Sequence, residues 1–175
     1  MSKWTDLRDV RRLAEELDGV RFSARNPSCV LVSLEIGSGL LKPNEERRGP
    51  GTMLHLKTST EAYTPSVLRY TRLQPGESTL SRMWLSIGRT SDNDVSINDY
   101  AVSRRHARFR LVHGVGYVIE DLNSVNGTAV DGTWIEARKQ VPVRSGQVLR
   151  FGRLGFTFLE PDDFHAFLVT MVPLH

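Results

Sequence analysis

The sequence has one cysteine, Cys29, among its 175 residues. An intramolecular disulfide needs two cysteines, so the fold has to rest on packing alone, which is compatible with a reducing compartment. Cys29 begins the short apolar run at residues 29–32, where a thiol is expected to be buried as a small hydrophobic group. A disulfide framework is therefore excluded.

Long apolar runs are also missing. No stretch approaches the roughly 18 apolar residues of a membrane-spanning helix, the longest candidates lying near residue 30 and at residues 167–172. Residues 1–12 alternate charged with single apolar residues and lack the apolar core of a secretory signal. We expect a soluble cytoplasmic protein with no membrane partner.

The sequence also lacks a large excess of positive or negative charge. Its 23 Lys and Arg residues stand against 20 Asp and Glu residues, and the two signs are interleaved along the chain. A nucleic-acid-binding domain usually concentrates basic residues on one face, so we expect no nucleic acid partner. The length and the 39% apolar content fit one globular domain with appendages.

Motifs for catalysis, metals and nucleotides are absent as well. Ser103, His106 and Asp121 provide the residue types of a hydrolytic triad, but no Gly-x-Ser-x-Gly elbow is present. The five histidines have no helical i, i+3 or i, i+4 spacing for zinc, and a calcium loop starting at Asp92 fails where Ile97 replaces glycine. No glycine-rich phosphate loop occurs. We expect a protein that is not an enzyme and has no metal and no cofactor.

Before residue 67 the pattern is mixed. A short amphipathic helix is predicted from a cap at Thr5 to a stop at Asp18-Gly19, with apolar residues at every third or fourth position. After residue 20 the pattern becomes strand-like, and residues 30–36 are predicted to extend the main sheet structure or to form a separate lobe. The polar residues 42–51, with their glycines and prolines, are predicted to be a linker or a long mobile loop.

Beyond residue 67 short strands alternate with turns. This pattern of short strands and turns predicts a β-sandwich or barrel. In such folds the loops lie together at the ends, where binding sites usually form. The sequence also predicts a helical turn at residues 162–168 that packs back on the strands. Trp84 and Trp134 are predicted to be core residues, and Trp4 is predicted to pack on the first helix. The predicted strands are residues 83–87, 107–112, 117–121, 128–130, 148–151 and 156–159.

Polar residues with complementary chemistry stand where three of these strands meet loops. Gly88-Arg89 ends one strand, Ser103-Arg104-Arg105-His106 precedes another, and residues 123–128 follow a third. If the three junctions share one end of the sandwich, they offer guanidinium, hydroxyl and carboxamide groups to one small volume. Such a volume suits a compact dianion on a peptide.

The order and spacing of these residues resemble the forkhead-associated (FHA) domain of the bacterial type. The resemblance covers residues 67–160 and rests on Gly88-Arg89, Ser103-x-x-His106 and Asn126-Gly127. It is extended by residues 92–95, by Val102, by Asp121-Leu122 and by the pattern at residues 143–152.

The resemblance implies an all-β fold: an FHA-type β-sandwich with eleven strands and a short helical or extended N-terminal extension. It implies an extension of unassigned function at residues 1–66, the FHA domain at residues 67–160 and a C-terminal tail at residues 161–175. It also implies that end loops hold a phosphothreonine peptide. By this resemblance Arg89 and Ser103 hold the phosphate, and Arg104 matches a neighbouring position that often helps. Asn126 matches the residue that bonds to the peptide main chain, and Gly88, His106 and Gly127 match positions that shape the site.

The function that follows is a non-catalytic adaptor in Ser/Thr kinase signalling. Its expected partners are a phosphothreonine-containing protein or peptide and a Ser/Thr kinase or its substrate. Val125 departs from the pattern, because many family members have Ser or Thr there to donate a further hydrogen bond to phosphate. This departure keeps open an alternative function, a phosphate-independent assembly module. A further hypothesis is that phosphorylated Thr58, Thr60 or Thr64 folds back and blocks the site.

Overall fold

The structure is a computed structural model that describes residues 4–34, 69–73 and 84–170. The polar stretch at residues 42–51 and the candidate phospho-acceptors Thr58, Thr60 and Thr64 lie outside the described residues. No helix within the three described ranges is long and apolar enough to cross a membrane.

Two mostly antiparallel β-sheets form the body of the protein. The seven-stranded sheet has the order β1-β3-β2-β12-β11-β8-β9, and the five-stranded sheet has the order β10-β7-β6-β4-β5. The described strands are β1 (Thr5–Asp6), β2 (Val30–Leu34), β3 (Arg69–Arg72), β4 (Leu85–Gly88), β5 (Val95–Ser96), β6 (Ala107–Val112), β7 (Gly116–Asp121), β8 (Thr128–Val130), β9 (Thr133–Trp134), β10 (Gln140–Val143), β11 (Val148–Phe151) and β12 (Leu154–Leu159). The all-β sandwich expected from the sequence is confirmed, with seven and five strands where the resemblance implied eleven in all.

The main core lies between the two sheets. Residues of opposite character alternate along a strand, so one face of β6 buries Ala107 and Phe109 while Arg108 and Arg110 lie on the other face. Phe109 packs against Phe158 of the opposite sheet at a ring distance of 5.2 Å. Apolar burial of this kind is the main source of stability in such a fold.

In the described part of the chain, three helices cover the outer face of the seven-stranded sheet. They are α1 (Leu7–Glu16), α2 (Gly19–Arg25) and α3 (Pro161–Thr170). Val30 and Val32 of β2 point toward them, whereas Leu31 points into the core between the sheets. Phe22 of α2 and Phe164 of α3 meet over this face at a ring distance of 5.9 Å, so a second apolar layer completes the fold.

Two sequence predictions about the N-terminal helix are wrong. Asp6, not Thr5, caps α1, because its carboxylate accepts the backbone N–H of Arg8 at 2.9 Å. The first helix does end next to the stop predicted at Asp18-Gly19, since α1 ends at Glu16, but the strand-like structure predicted from Val20 is wrong. Instead Asp18 caps a second helix, α2, by accepting the N–H of Arg21 at 2.9 Å.

The tryptophan predictions also need correction. Trp134 is 55% exposed and not a core residue. Trp84 is half-buried on the outer face of the five-stranded sheet, where its ring stacks on the guanidinium groups of Arg108 and Arg110 at 4.2 and 4.3 Å. Trp4 packs against the sandwich core, with its ring 5.4 Å from Phe156.

Of the extended segment predicted at residues 30–36, residues 30–34 join the main sandwich, and residues 35–36 lie outside the described residues. Its β2 portion pairs antiparallel with both β12 and β3, so it is not a separate lobe. At the other end of the chain α3 buries Phe164 and Leu168, and Phe167 is partly buried in the same layer. The boundaries at residues 66 and 160 remain a prediction.

Candidate functional site

Strand pairing brings the three predicted junctions to one end of the five-stranded sheet. Ala107 at the start of β6 pairs with Ile87 near the end of β4 and with Asp121 at the end of β7. The loops after β4, before β6 and after β7 therefore start from the same edge. From the sequence it is only an assumption that the three junctions share one end of the sandwich. The pairing register of β4, β6 and β7 explains why they do.

A cavity of about 320 Å³ opens between these loops. Four residues that the sequence singled out as phosphopeptide-binding line it: Arg89, Ser103, Arg104 and Asn126. Tyr100, Val102 and Val125 complete the lining. The three residues expected to shape the site, Gly88, His106 and Gly127, do not line the cavity.

The charge of the cavity lining is positive. It contains two arginines and no carboxylate. Within the described part of the chain, the guanidinium of Arg89 has no ion pair, and its one contact of note is the ring of Tyr100, 5.0 Å from the guanidinium carbon to the ring centroid. A guanidinium without a carboxylate partner keeps its N–H groups available for an anion.

Ser103 is fixed by its backbone and by its side chain. Its carbonyl accepts the N–H of Arg89 at 2.9 Å, and its own N–H donates to Nδ1 of His106 at 3.0 Å. Its Oγ accepts the backbone N–H of Val125 at 3.0 Å. Because a hydroxyl also carries a proton, Ser103 can still donate one hydrogen bond into the cavity.

His106 lies behind the cavity and is completely buried. A backbone N–H can only donate, so Nδ1 is the unprotonated nitrogen and Nε2 donates to the carbonyl of Gly127 at 3.0 Å. Burial lowers the pKa of His106, although the Gly127 carbonyl and Asp121 oppose this effect. The neutral ring therefore joins the loop before β6 to the loop after β7.

Ser103, His106 and Asp121 do not form a hydrolytic triad. Both ring nitrogens of His106 are engaged by backbone groups, so neither is directed at the hydroxyl of Ser103. The residue types are present, but their arrangement serves to fix loops.

Asp121 anchors the loop after β7. Its carboxylate accepts the hydroxyl protons of Ser124 and Thr128, both at 2.6 Å, and the N–H of Ser124 at 2.9 Å. Burial by itself would raise the pKa of Asp121, but these hydrogen bonds and nearby His106 outweigh burial and lower the pKa. The carboxylate is thus ionised and fully bonded beneath the site.

Gly88 has no space for a side chain. A Cβ at this position would lie 2.2 Å from the carbonyl oxygen of Arg104. That carbonyl accepts hydrogen bonds from Nδ2 of Asn93 at 2.7 Å and from the hydroxyl of Thr90 at 3.1 Å. Buried Asn93 thus holds the backbone of a cavity residue, a role that its sequence position, in a turn beside two aspartates, indicates only weakly.

Asn126 lies at the mouth of the cavity. Its Nδ2 donates to the carbonyl of Ala101 at 2.9 Å, which ties two loops together. The side-chain amide has a second N–H and an oxygen that no hydrogen bond within the described ranges occupies. Gly127 follows with a φ of 75°, a left-handed conformation that favours glycine, and its carbonyl receives the bond from His106.

Tyr100 is the lining residue that sequence reasoning missed. It is 92% exposed, yet its ring stacks on Arg89. Its position three residues before Ser103 gives no periodic signal, because it lies in a loop rather than on a strand. Val125, noticed only as a departure from the family pattern, is 89% exposed.

Comparison with known proteins gives a family for this arrangement. The family model described as FHA domain matches residues 85–152, a range that contains every residue lining the cavity. Residues 85–152 of this chain are an FHA domain. The match to the FHA domain confirms the resemblance found in the sequence.

Curated relatives match the FHA domain and its flanks. The oxoglutarate dehydrogenase inhibitor of Corynebacterium diphtheriae is 35% identical over 81 residues, which is 46% of this chain and 54% of that protein. The FHA domain-containing protein FhaB of Mycobacterium tuberculosis is 32% identical over 103 residues, 59% of this chain and 64% of that protein. The chain thus spans between half and two thirds of the length of these relatives.

Among solved structures, this chain is similar to that of Mycobacterium tuberculosis EmbR in complex with a low affinity phosphopeptide. The identity is 36% and the TM-score is 0.40, over 45% of this chain and 20% of that one.

Proposed function

We propose that this protein is a non-catalytic adaptor that binds phosphothreonine peptides in Ser/Thr kinase signalling. The observation that carries the proposal is the cavity of the FHA domain, where Arg89, Ser103 and Arg104 present donors to one small volume. The finer assignments, including the bond from Asn126 to a peptide main chain, belong to the same proposal.

The charge of the lining suits a phosphate. A phosphorylated threonine has a charge of about −1.5 to −2 at neutral pH and three strong acceptor oxygens. Guanidinium groups match such oxygens in pairs, and a serine hydroxyl adds a short donor. A lining with two arginines and no carboxylate attracts this ligand and repels none of its charge.

The hydrogen bonds behind the cavity support the proposal through preorganisation. Ser103 is held by Arg89, by His106 and by Val125, and the carbonyl of Arg104 is held by Asn93. Loops that are already fixed lose less entropy when a peptide binds. The site therefore needs no large rearrangement to accept an extended ligand.

A role without catalysis is supported by the relatives. One is named as an inhibitor of an enzyme and another as a glycogen accumulation regulator, not as an enzyme. A regulator acts by binding, which agrees with the lack of a catalytic arrangement around Ser103.

The test is binding of a degenerate phosphothreonine peptide library to the full chain, followed by titration with the selected peptide. We expect micromolar affinity, which is about −8 kcal/mol. Arg89→Ala should weaken binding by roughly 2 to 4 kcal/mol, because a charge-assisted contact to the phosphate is lost. Unphosphorylated peptides should not be captured.

Arg104 and Arg105 provide a matched pair of adjacent arginines. Both side chains are exposed, but only Arg104 lines the cavity. Arg104→Ala should reduce affinity by about tenfold, whereas Arg105→Ala should leave it close to that of the parent. Equal affinity of Arg89→Ala and the parent would refute the site, and capture independent of phosphate would favour an assembly module.

A further inference from the structure

Large apolar side chains line the candidate phosphate site or lie beside one of its loops. Among the described residues, the exposed large hydrophobic side chains include Tyr100 at 92%, Val125 at 89% and Trp134 at 55%. Tyr100 and Val125 line the same cavity as Arg89. Trp134 packs over Gly127, since a Cβ on that glycine would lie 3.1 Å from the indole ring. We call Tyr100, Val125 and Trp134 the apolar rim.

Two members of the apolar rim are held in place. The backbone N–H of Val125 donates to Oγ of Ser103, so the valine stands on a fixed segment of backbone. The ring of Tyr100 rests on the guanidinium of Arg89. Both side chains are nevertheless almost fully exposed to water, an unfavourable environment for apolar surface that a bound partner would cover.

A phosphate by itself does not explain these side chains. Phosphate oxygens need hydrogen-bond donors, which Arg89, Ser103 and Arg104 provide, whereas valine offers only apolar surface and tyrosine mainly its ring. Residues of an extended peptide rise about 3.3 Å each and their side chains alternate between two faces, so a side chain one position away faces the opposite wall and one two positions away faces the same wall, about 6.6 Å along the chain. A residue one or two positions from the phosphothreonine therefore comes within reach of surfaces that line the same cavity.

We propose that the apolar rim selects phosphothreonine peptides with a large aliphatic or aromatic side chain one or two residues from the phosphothreonine. This inference rests on the proposed function and adds the class of peptide that the site prefers. The rim contributes specificity, and the arginines contribute the requirement for phosphate. Val125 thus replaces a possible phosphate donor with a surface for the neighbouring side chain.

The test uses the full chain and fluorescent peptides with a fixed phosphothreonine. At each of the two positions on either side, leucine or phenylalanine is compared with serine, lysine and glutamate by fluorescence anisotropy. We expect an approximately tenfold preference for the apolar residue at one of these positions. Val125→Ser and Tyr100→Ser should each reduce this preference at least threefold while binding still depends on phosphate.

Matched control variants come from the opposite end of β6. Val115 is 58% exposed and Leu111 is 65% exposed, and both lie near the turn between β6 and β7. Val115→Ser makes the same chemical change as Val125→Ser, so it should leave both affinity and preference unchanged. Tyr100→Phe keeps the ring and should retain the preference. Circular dichroism before each titration confirms that the variants are folded.

The outcomes separate this inference from the proposed function. Phosphate-dependent binding with an apolar preference that both rim variants weaken supports the apolar rim. Phosphate-dependent binding with no flanking preference, or with a preference for charge, overturns the rim and leaves the proposed function standing. Absence of phosphate-dependent binding overturns both.

Discussion

The loops at the two ends of strand β6 are held in place to different degrees. At its start, near Ala107, buried polar groups and crowded glycines hold the cavity loops. At its other end the turn between β6 and β7 contains Gly114 and Gly116, and a Cβ on either would meet nothing within 4 Å. One end is fixed from inside, and the other only connects two strands.

This contrast shows what a binding loop requires beyond a connecting turn. Gly114 and Gly116 have positive φ angles of 76° and 95°, so the turn uses glycine for its backbone conformation. Gly88 is needed for space, because the Arg104 carbonyl approaches its Cα closely. The same substitution at matched positions of the two ends should therefore have different effects.

The largest effect is expected from adding a methyl group at each end. Gly88→Ala would place a Cβ against a backbone carbonyl that Asn93 holds, so we expect a loss of about 3 kcal/mol or more in the free energy of unfolding. Gly114→Ala has open space and should lose only about 1 to 2 kcal/mol from its positive φ. Urea titration of both variants measures the difference.

Equal losses at the two glycines would contradict the comparison, because they would show that the Arg104 carbonyl can move aside. The phosphopeptide affinity of Gly88→Ala, measured where the variant is still folded, distinguishes a shifted loop from an unfolded chain.

A second prediction concerns the carboxylates. Asp121→Asn replaces an acceptor of three hydrogen bonds with an amide, so we expect a loss of about 2 kcal/mol or more in stability. Asp131, in the exposed turn between β8 and β9, has a φ of 48°, which asparagine tolerates. Its carboxylate accepts hydrogen bonds from the backbone N–H of Val148 at 2.8 Å and from Nε2 of Gln147 at 2.7 Å, but these bonds are exposed to solvent, so replacing this carboxylate costs less than replacing a buried one. Asp131→Asn should therefore change stability by less than about 1 kcal/mol, and thermal unfolding compares the two variants. A smaller loss for Asp121→Asn than for Asp131→Asn would show that the buried network is dispensable.

The smallest effect is a dependence of stability on pH. The pKa of His106 is lowered in the folded protein, so the unfolded chain, with a histidine pKa near 6.5, binds the proton more readily. The free energy of unfolding should therefore fall as the pH drops below about 6.5, by at most about 1.4 kcal/mol per pH unit. Urea titrations at pH 7.0, 6.0 and 5.0 measure this slope.

The His106→Gln variant should have a smaller slope than the parent over that range. His113→Gln, at the exposed far end of β6, is the matched control and should keep the parental slope. The lowered pKa of Asp121 acts in a separate window, since its contribution is lost only as the pH falls below about 3.8 through the folded pKa. An unchanged slope in His106→Gln would remove His106 as its source.

The sequence predicted six strands beyond residue 67, because their apolar patterns are local, but it did not predict β3, β5, β9 or β10. Residues 107–112, 128–130 and 148–151 are strands with the predicted bounds. The site residues were predicted from an ordered motif at strand ends, and the register then placed Arg89, Ser103, Arg104 and Asn126 around one cavity. Their role in binding phosphate is still a prediction.

Other features depended on contacts between distant residues. Helix α2 was missed because its seven residues give little periodicity, and its stability comes from Phe22 packing on α3. Trp134 was expected in the core on the basis of its residue type, but it lies on β9, at the edge of the seven-stranded sheet. The contact of Tyr100 with Arg89 joins two loops and has no local signature.

The position of β2 has a consequence for synthesis of the chain. β2 lies between β3 and β12, with Val30 paired to Leu159 and Leu34 to Gly155, so its pairing is complete only after β12, which follows the cavity strands along the chain, has been translated. Contacts between such distant residues form slowly, and an unpaired strand edge can recruit other chains. A ribosome-bound nascent chain that ends before β12 therefore already contains the cavity strands β4, β6 and β7. The edge of β2 that pairs with β12 should be unpaired in such a chain.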